Sequence, residues 1–286
     1  MKPKMIDGEF TAQPDLLAPP PLSRRVDLSA IWALFELSAG RMLRGRRLLI
    51  LSLLFALPTL FAVLAQKYEP RFDTRTAEIA FIFGMIPQAL VPLAALVYAS
   101  GMVQDEIEEQ TLTYLLIRPI PRGLIYLTKL AATILITSTI AAVFTTLCLV
   151  VTYQGDWEAD SLQPSHVLGV IGLLTLSIAA YCSLFGLLSL VLKRTLILGL
   201  IYIILFEGVL ANIDFIVRKL TIMYYFRVIS VRWLEQKSAD WNIDLKLAPT
   251  AWECLWTLTI ATLVFSFAAA WIFDRREFRL KTPEGS

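Results

Sequence analysis

With 286 residues, 57% hydrophobic side chains and only 17% charged ones, the chain carries too few charges for a soluble domain, in which about a quarter is ordinary. Its net charge of +2, with Lys and Arg scattered near the ends of apolar runs, excludes a nucleic-acid-binding face. The mean hydropathy of +0.64 points instead to an all-α integral membrane protein, its partner the lipid bilayer.

Residues 1–25 carry Pro3, Pro14, Pro19, Pro20 and Pro21 among Asp7, Glu9 and Asp15, and lack the basic start and apolar core of a signal peptide. This composition predicts a disordered cytosolic tail. Beyond Asp27, a good N-cap residue, Leu28, Ile31, Trp32, Phe35, Met42 and Leu43 recur at helical spacing within residues 26–47. The pattern predicts an amphipathic elbow helix lying in the membrane interface, ended by Arg44, Arg46 and Arg47 at headgroup depth. A first turn of the following span is the alternative reading.

Six apolar runs follow within residues 48–273: 48–66, 77–102, 130–153, 167–192, 196–216 and 251–273. Each approaches or exceeds the roughly 20 residues that a helix needs to cross the hydrocarbon core. With both ends placed in the cytoplasm, most of the 26 Lys and Arg residues fall inside, which the positive-inside rule favours. The cost is segment 217–250, whose Arg218, Lys219, Arg227, Arg232, Lys237 and Lys246 are then outside. Ile222, Tyr225, Phe226, Ile229 and Trp233 recur there at helical spacing, which predicts an amphipathic helix on the outer interface. Residues 274–286 form a cytosolic C-terminal tail. A five-span arrangement would move Arg275 and Arg276 outside, so six spans fit better.

Catalytic signatures are missing. HExxH, GxSxG and GxGxxG do not occur, and the single histidine, His166, stands at the outer end of the fourth run, leaving little for hydrolytic or metal chemistry. Cys148, Cys182 and Cys254 lie singly inside apolar runs and read as small buried hydrophobes. Gly40 and Gly45 have the glycine spacing of a Walker A loop, but Arg46 and Arg47 stand where Lys and Ser or Thr are required. The chain is therefore expected to bind no nucleotide or metal and to catalyse nothing itself. Glu207 is the one acid deep inside a run, about 16 Å in by helical rise, with Asp214 further along. At that depth a carboxyl group must be protonated, paired or facing water, so Glu207 and Asp214 are read as either translocation-path residues or helix glue.

The most informative stretch is Val103 to Lys129. It opens with Asp105, Glu106, Glu108 and Glu109, passes into Leu112, Tyr114, Leu115 and Leu116, and is broken at Arg118-Pro119-Ile120-Pro121-Arg122. Proline removes a backbone donor and pushes the preceding residue from the helical region, which predicts helix, break, helix. On a helical wheel Asp105, Glu108 and Glu109 share a side, yet Leu112 and Leu116 come round to the same azimuth. The second half is apolar nearly all round and needs burial in its own bundle or in a partner. A solvated loop, the simpler reading, leaves Tyr114 and the leucines unexplained.

This stretch resembles the signature between the second and third spans of ABC-2 type permeases: an acid, Gly-Thr-Leu, leucines, Arg-Pro-Ile-Ser-Arg and a lysine. Here Gln110-Thr111-Leu112, Leu115-Leu116-Ile117-Arg118-Pro119-Ile120-Pro121-Arg122 and Lys129 stand in that order, with Gln110 in place of the glycine and Pro121 in place of the serine. The resemblance implies a six-span fold of the type V exporter kind with an N-terminal elbow. It implies a permease subunit of an ATP-driven exporter that pairs with a second copy or close paralogue and docks on separate ATPase subunits, which hold the ATP and Mg. By that likeness Asp105, Glu106, Glu109, Leu112, Tyr114, Leu115, Leu116, Arg118 and Arg122 belong to the cytosolic coupling helix that meets the ATPase. An ATP-independent transporter or channel, and a membrane module that uses ATP mechanically without a solute, are the alternatives. Aliphatic spans and short outer loops favour a lipophilic or amphiphilic cargo.

Overall fold

The computed structural model describes residues 28–68, 73–108, 121–154, 159–192, 194–212, 216–234 and 248–275, with positions 236, 241, 243 and 245. All regular structure among them is helical. Helix α1, Leu28–Arg44, buries only Leu34 and packs on α4, Arg122–Thr152. A bend at Gly45 separates α1 from α2, Arg46–Tyr68. Helix α3 covers 74–108, with a π-helical stretch, Glu78–Leu90, between shorter and longer α-helical parts. Helix α5 is Pro164–Val191, entered by a proline at its first turn, where a missing N–H costs nothing.

Five helices among the described residues are long and apolar enough to cross a membrane: Arg46–Tyr68, Thr74–Met102, Arg122–Thr152, Pro164–Val191 and Ala251–Arg275, the last of them α8. They run alternately, so the ends of α3 and α5 and the starts of α2 and α4 gather at one end of the bundle, with Thr195 beside the end of α3. The start of α3, the end of α4 and the start of α5 gather at the other. Helix α5 is the hub, packed against α3, α4 and α8, with Leu174, Ile178, Tyr181 and Phe185 buried. Gly186 permits its closest approach, because a β-carbon there would meet the Tyr126 hydroxyl of α4 at 2.5 Å. Polar ties are few and internal. Ser183 and Ser266 join α5 to α8 at 2.9 Å, and the Gln66 amide of α2 donates to the carbonyls of Val151 and Thr152. Those carbonyls lie in the last turn of α4, where helical donors run out; that of Val151 also accepts from the Gln154 N–H at 3.0 Å. Outward, α8 shows Trp252, Trp256, Ile260, Phe267 and Trp271. Its tryptophans stand toward both ends, as in membrane-interface belts.

The expected fifth span at 196–216 is not one helix. Its first part, α6, covers 195–212 as Thr195–Tyr202, a π-helical Ile203–Val209 and a 3-10 turn Leu210–Asn212, and the apolar helix Thr195–Val209 is shorter than the other five. The chain then returns inward through a 3-10 turn, Ile216–Leu220, and starts α7, Ile222–Trp233, beside Glu207. The reading of this segment as an amphipathic helix with one exposed face is corrected. Between Ile222 and Val231 every residue of α7 except Tyr225 is buried, because α7 sits among α5, α8 and the π stretch of α3. Arg227, which the charge count places in the outer water, is 7% exposed.

Candidate functional site

Glu207 lies on the π-helical part of α6 and is fully buried. Its carboxylate meets the first two residues of α7: the Ile222 N–H donates to Oε1 at 3.2 Å and the Met223 N–H to Oε2 at 3.3 Å. The Tyr202 hydroxyl donates to Oε1 at 3.4 Å, and Tyr181 of α5 lies beside it. Thr221 caps the same helix by accepting from the Tyr224 N–H at 3.3 Å. The first N–H groups of a helix have no partner within it and carry the positive end of its dipole, so an acid is a natural occupant of this position. Both oxygens of Glu207 serve as acceptors there. Glu207 thus caps α7 from another helix, alongside Thr221, the residue before α7.

A second ring of contacts closes the node. The Gln88 amide of α3 donates to the Glu207 backbone carbonyl at 3.2 Å, while its own carbonyl oxygen accepts from Arg227 Nη2 at 3.1 Å. Arg227 Nη1 donates to the Ala211 carbonyl at 3.2 Å. The two π-helical stretches thus meet here, the first holding Gln88 and Pro87, the second Glu207. A π turn shifts the backbone register and leaves carbonyls available for other donors, as the Glu207 carbonyl is for Gln88. Sequence reasoning found Glu207 by its depth but missed Gln88 and Arg227. Gln88 carries no charge to betray it, and Arg227 belongs to a segment whose other cations read as surface. Asp214 lies outside the described residues.

At the opposite end of α6 the expected docking segment is anchored. Lys129, 3% exposed, donates from Nζ to the Met102 carbonyl at 3.3 Å, and Gln104 donates to Thr195 Oγ1 at 3.1 Å. The last turns of α3 are therefore tied to the start of α4 and to the start of α6. Asp105 and Glu106 occupy those turns, and Arg122 opens α4 as an exposed residue. Glu109, Leu112, Tyr114, Leu115, Leu116 and Arg118 lie outside the described residues.

The model of a family described as ABC-2 family transporter protein matches residues 44–211, more than half of the chain. The chain belongs to this ABC-2 transporter family. No curated protein matches it. The likeness read from Glu106 to Lys129 is thereby borne out, and the protein is a multi-pass membrane component of the ABC transporter permease class. The ABC-2 match runs from the last residue of α1 to Ala211, so it takes in both the anchored segment and Glu207. Helices α7 and α8 lie beyond it.

Proposed function

We propose that this ABC-2 protein is the permease subunit of an ATP-driven exporter, that it works as a pair with a second copy or close paralogue, and that it takes its motion from separate ATPase subunits holding ATP and Mg. In this reading α6 and α7 together make the fifth of six crossings, α1 is the interfacial elbow, and both termini are cytoplasmic in a cell-membrane protein. Residues 103–129 are the coupling helix, with Leu112, Tyr114, Leu115 and Leu116 as anchors in the ATPase cleft and Asp105, Glu106, Glu109, Arg118 and Arg122 around them. The observation that carries the reading is the anchoring of that segment inside a matched ABC-2 region: Lys129 and Gln104 connect it to α4 and α6. A push on 103–122 would reach α6 first, then the Glu207 node and α7. Switching between inward and outward access needs such a rigid lever acting on an element with two arrangements.

Leu116→Asp combined with Tyr114→Ala tests the docking surface. The double variant should fold and reach the membrane yet lose co-purification with the ATPase subunit. A complex that survives intact would overturn it.

A further inference from the structure

At the end of the bundle opposite the docking segment, a cavity of about 740 Å³ opens between the starts of α3 and α5 and the ends of α4 and α7. Its size is that of a small-molecule pocket. Its deepest polar group is Glu78, 3% exposed, at the start of the π stretch of α3. Oε2 of Glu78 accepts from the Tyr153 hydroxyl at 2.5 Å and from Ser161 Oγ at 3.0 Å. Oε1 is equally buried and has no hydrogen-bond partner.

The neighbour of Oε1 is His166 Nε2, 4.0 Å away. His166 Nδ1 stands 3.2 Å from the Ser161 carbonyl, which can only accept, so the neutral ring carries its proton on Nδ1 and leaves Nε2 as a lone-pair acceptor. Gln236, on the same wall, also has its Oε1 buried without a partner. Among the residues around this cavity, two buried oxygens, Glu78 Oε1 and Gln236 Oε1, thus have no donor. Buried acceptors are normally satisfied, and a carboxylate oxygen left bare is costly. Among the described residues the exposed charges lining the cavity are Arg75 and Asp160. Trp233, 47% exposed and edge-on to Trp252, gives the wall an aromatic face.

We propose that this cavity binds a small molecule through a primary ammonium group seated between Glu78 Oε1 and His166 Nε2. An ammonium nitrogen about 2.9 Å from each acceptor sees them at roughly 90°, which two of its N–H bonds can span. The aromatic wall attracts the cation. A divalent metal ion fits less well, since no group of three metal-ligating side chains exists among the described residues. The site is independent of ATPase docking, because it is formed by the permease alone.

The test uses the full chain purified in nanodiscs, titrated calorimetrically with phenethylammonium and with its N,N,N-trimethyl analogue, which keeps the charge and ring but has no N–H. The primary amine should bind saturably and the trimethyl analogue should bind about tenfold more weakly or not at all. Glu78→Gln should weaken the amine about tenfold while the amide oxygen still accepts from Tyr153. His166→Lys, at a partly exposed position, should abolish binding by placing a fixed ammonium in the site, so the proposal stays testable if Glu78→Gln fails to fold. Equal binding of the two ligands, binding unchanged in His166→Lys, or no saturable binding of the amine would each overturn it.

Discussion

The protein holds two buried glutamates on π-helical stretches, and their surroundings differ in one respect. Glu207 has both oxygens engaged by the backbone N–H groups that open α7, with Tyr202 added. Glu78 has one oxygen engaged by Tyr153 and Ser161, and the other, equally buried beside the cavity, has no hydrogen-bond partner. Burial and charge are alike, so neither tells structure from binding. The count of satisfied acceptors does, since a saturated carboxylate has nothing left to offer a ligand. By this measure we read Glu207 as helix glue and Glu78 as the receptor proposed above.

The sharpest way to break the comparison is to remove the saturated group. Glu207→Ala strands two buried backbone N–H groups, each worth about 1–3 kcal/mol when left unmade, and it also empties a side-chain volume. Thermal unfolding in detergent should show the largest loss of any single variant discussed, with α7 the first part to exchange amide hydrogens. Glu207→Gln keeps an acceptor oxygen and should recover about half of that loss. If Glu207→Gln instead unfolds as readily as Glu207→Ala while amine binding at the far cavity is untouched, the full charge is what holds α7. A smaller loss is expected from Arg227→Met, about 2 kcal/mol, because it releases the Ala211 carbonyl and the Gln88 oxygen together while keeping much of the side chain's bulk. The measurement is the same melt, and an unchanged midpoint would mean that the node does not depend on its second ring.

Much of this arrangement was open to reading from sequence, for reasons that also explain the misses. The spans at 48–66, 77–102, 130–153, 167–192 and 251–273 correspond to helices because unbroken apolar runs of that length have one stable form in lipid. At 196–216 and 217–250 the structure departs from the pattern: the apolar helix Thr195–Val209 is shorter than the other five, and α7 is buried rather than on the surface. Hydropathy averages over a window and cannot see the register change to π geometry at Ile203–Val209 or the 3-10 turns Leu210–Asn212 and Ile216–Leu220. Arg227 was counted as an outer cation, because a charge in a polar segment looks solvated until its partners, Gln88 and Ala211, are known. His166 was judged too isolated for chemistry. The available signal was topological: an acid at the start of the second run and a histidine at the start of the fourth fall at the same end of the bundle. The expected docking residues rest on pattern alone; beside them the structure describes the contacts of buried Lys129 with Met102 and of Gln104 with Thr195.

The smallest effect expected is the most discriminating. Tyr153→Phe deletes one donor to Glu78 Oε2 and leaves Ser161 in place, so stability should fall by only about 1 kcal/mol. Its consequence for the cavity has the opposite sign. A carboxylate with fewer internal donors holds more charge for an external one, so phenethylammonium should bind as tightly as in the unaltered protein or a few-fold tighter. If Tyr153 instead belongs to the binding face, Tyr153→Phe will weaken the amine together with Glu78→Gln, and the division of Glu78 into one structural and one receptive oxygen fails. Calorimetry on the two variants side by side separates the outcomes, because one leaves Tyr153→Phe at or above the affinity of the unaltered protein with Glu78→Gln below it, and the other places both below it.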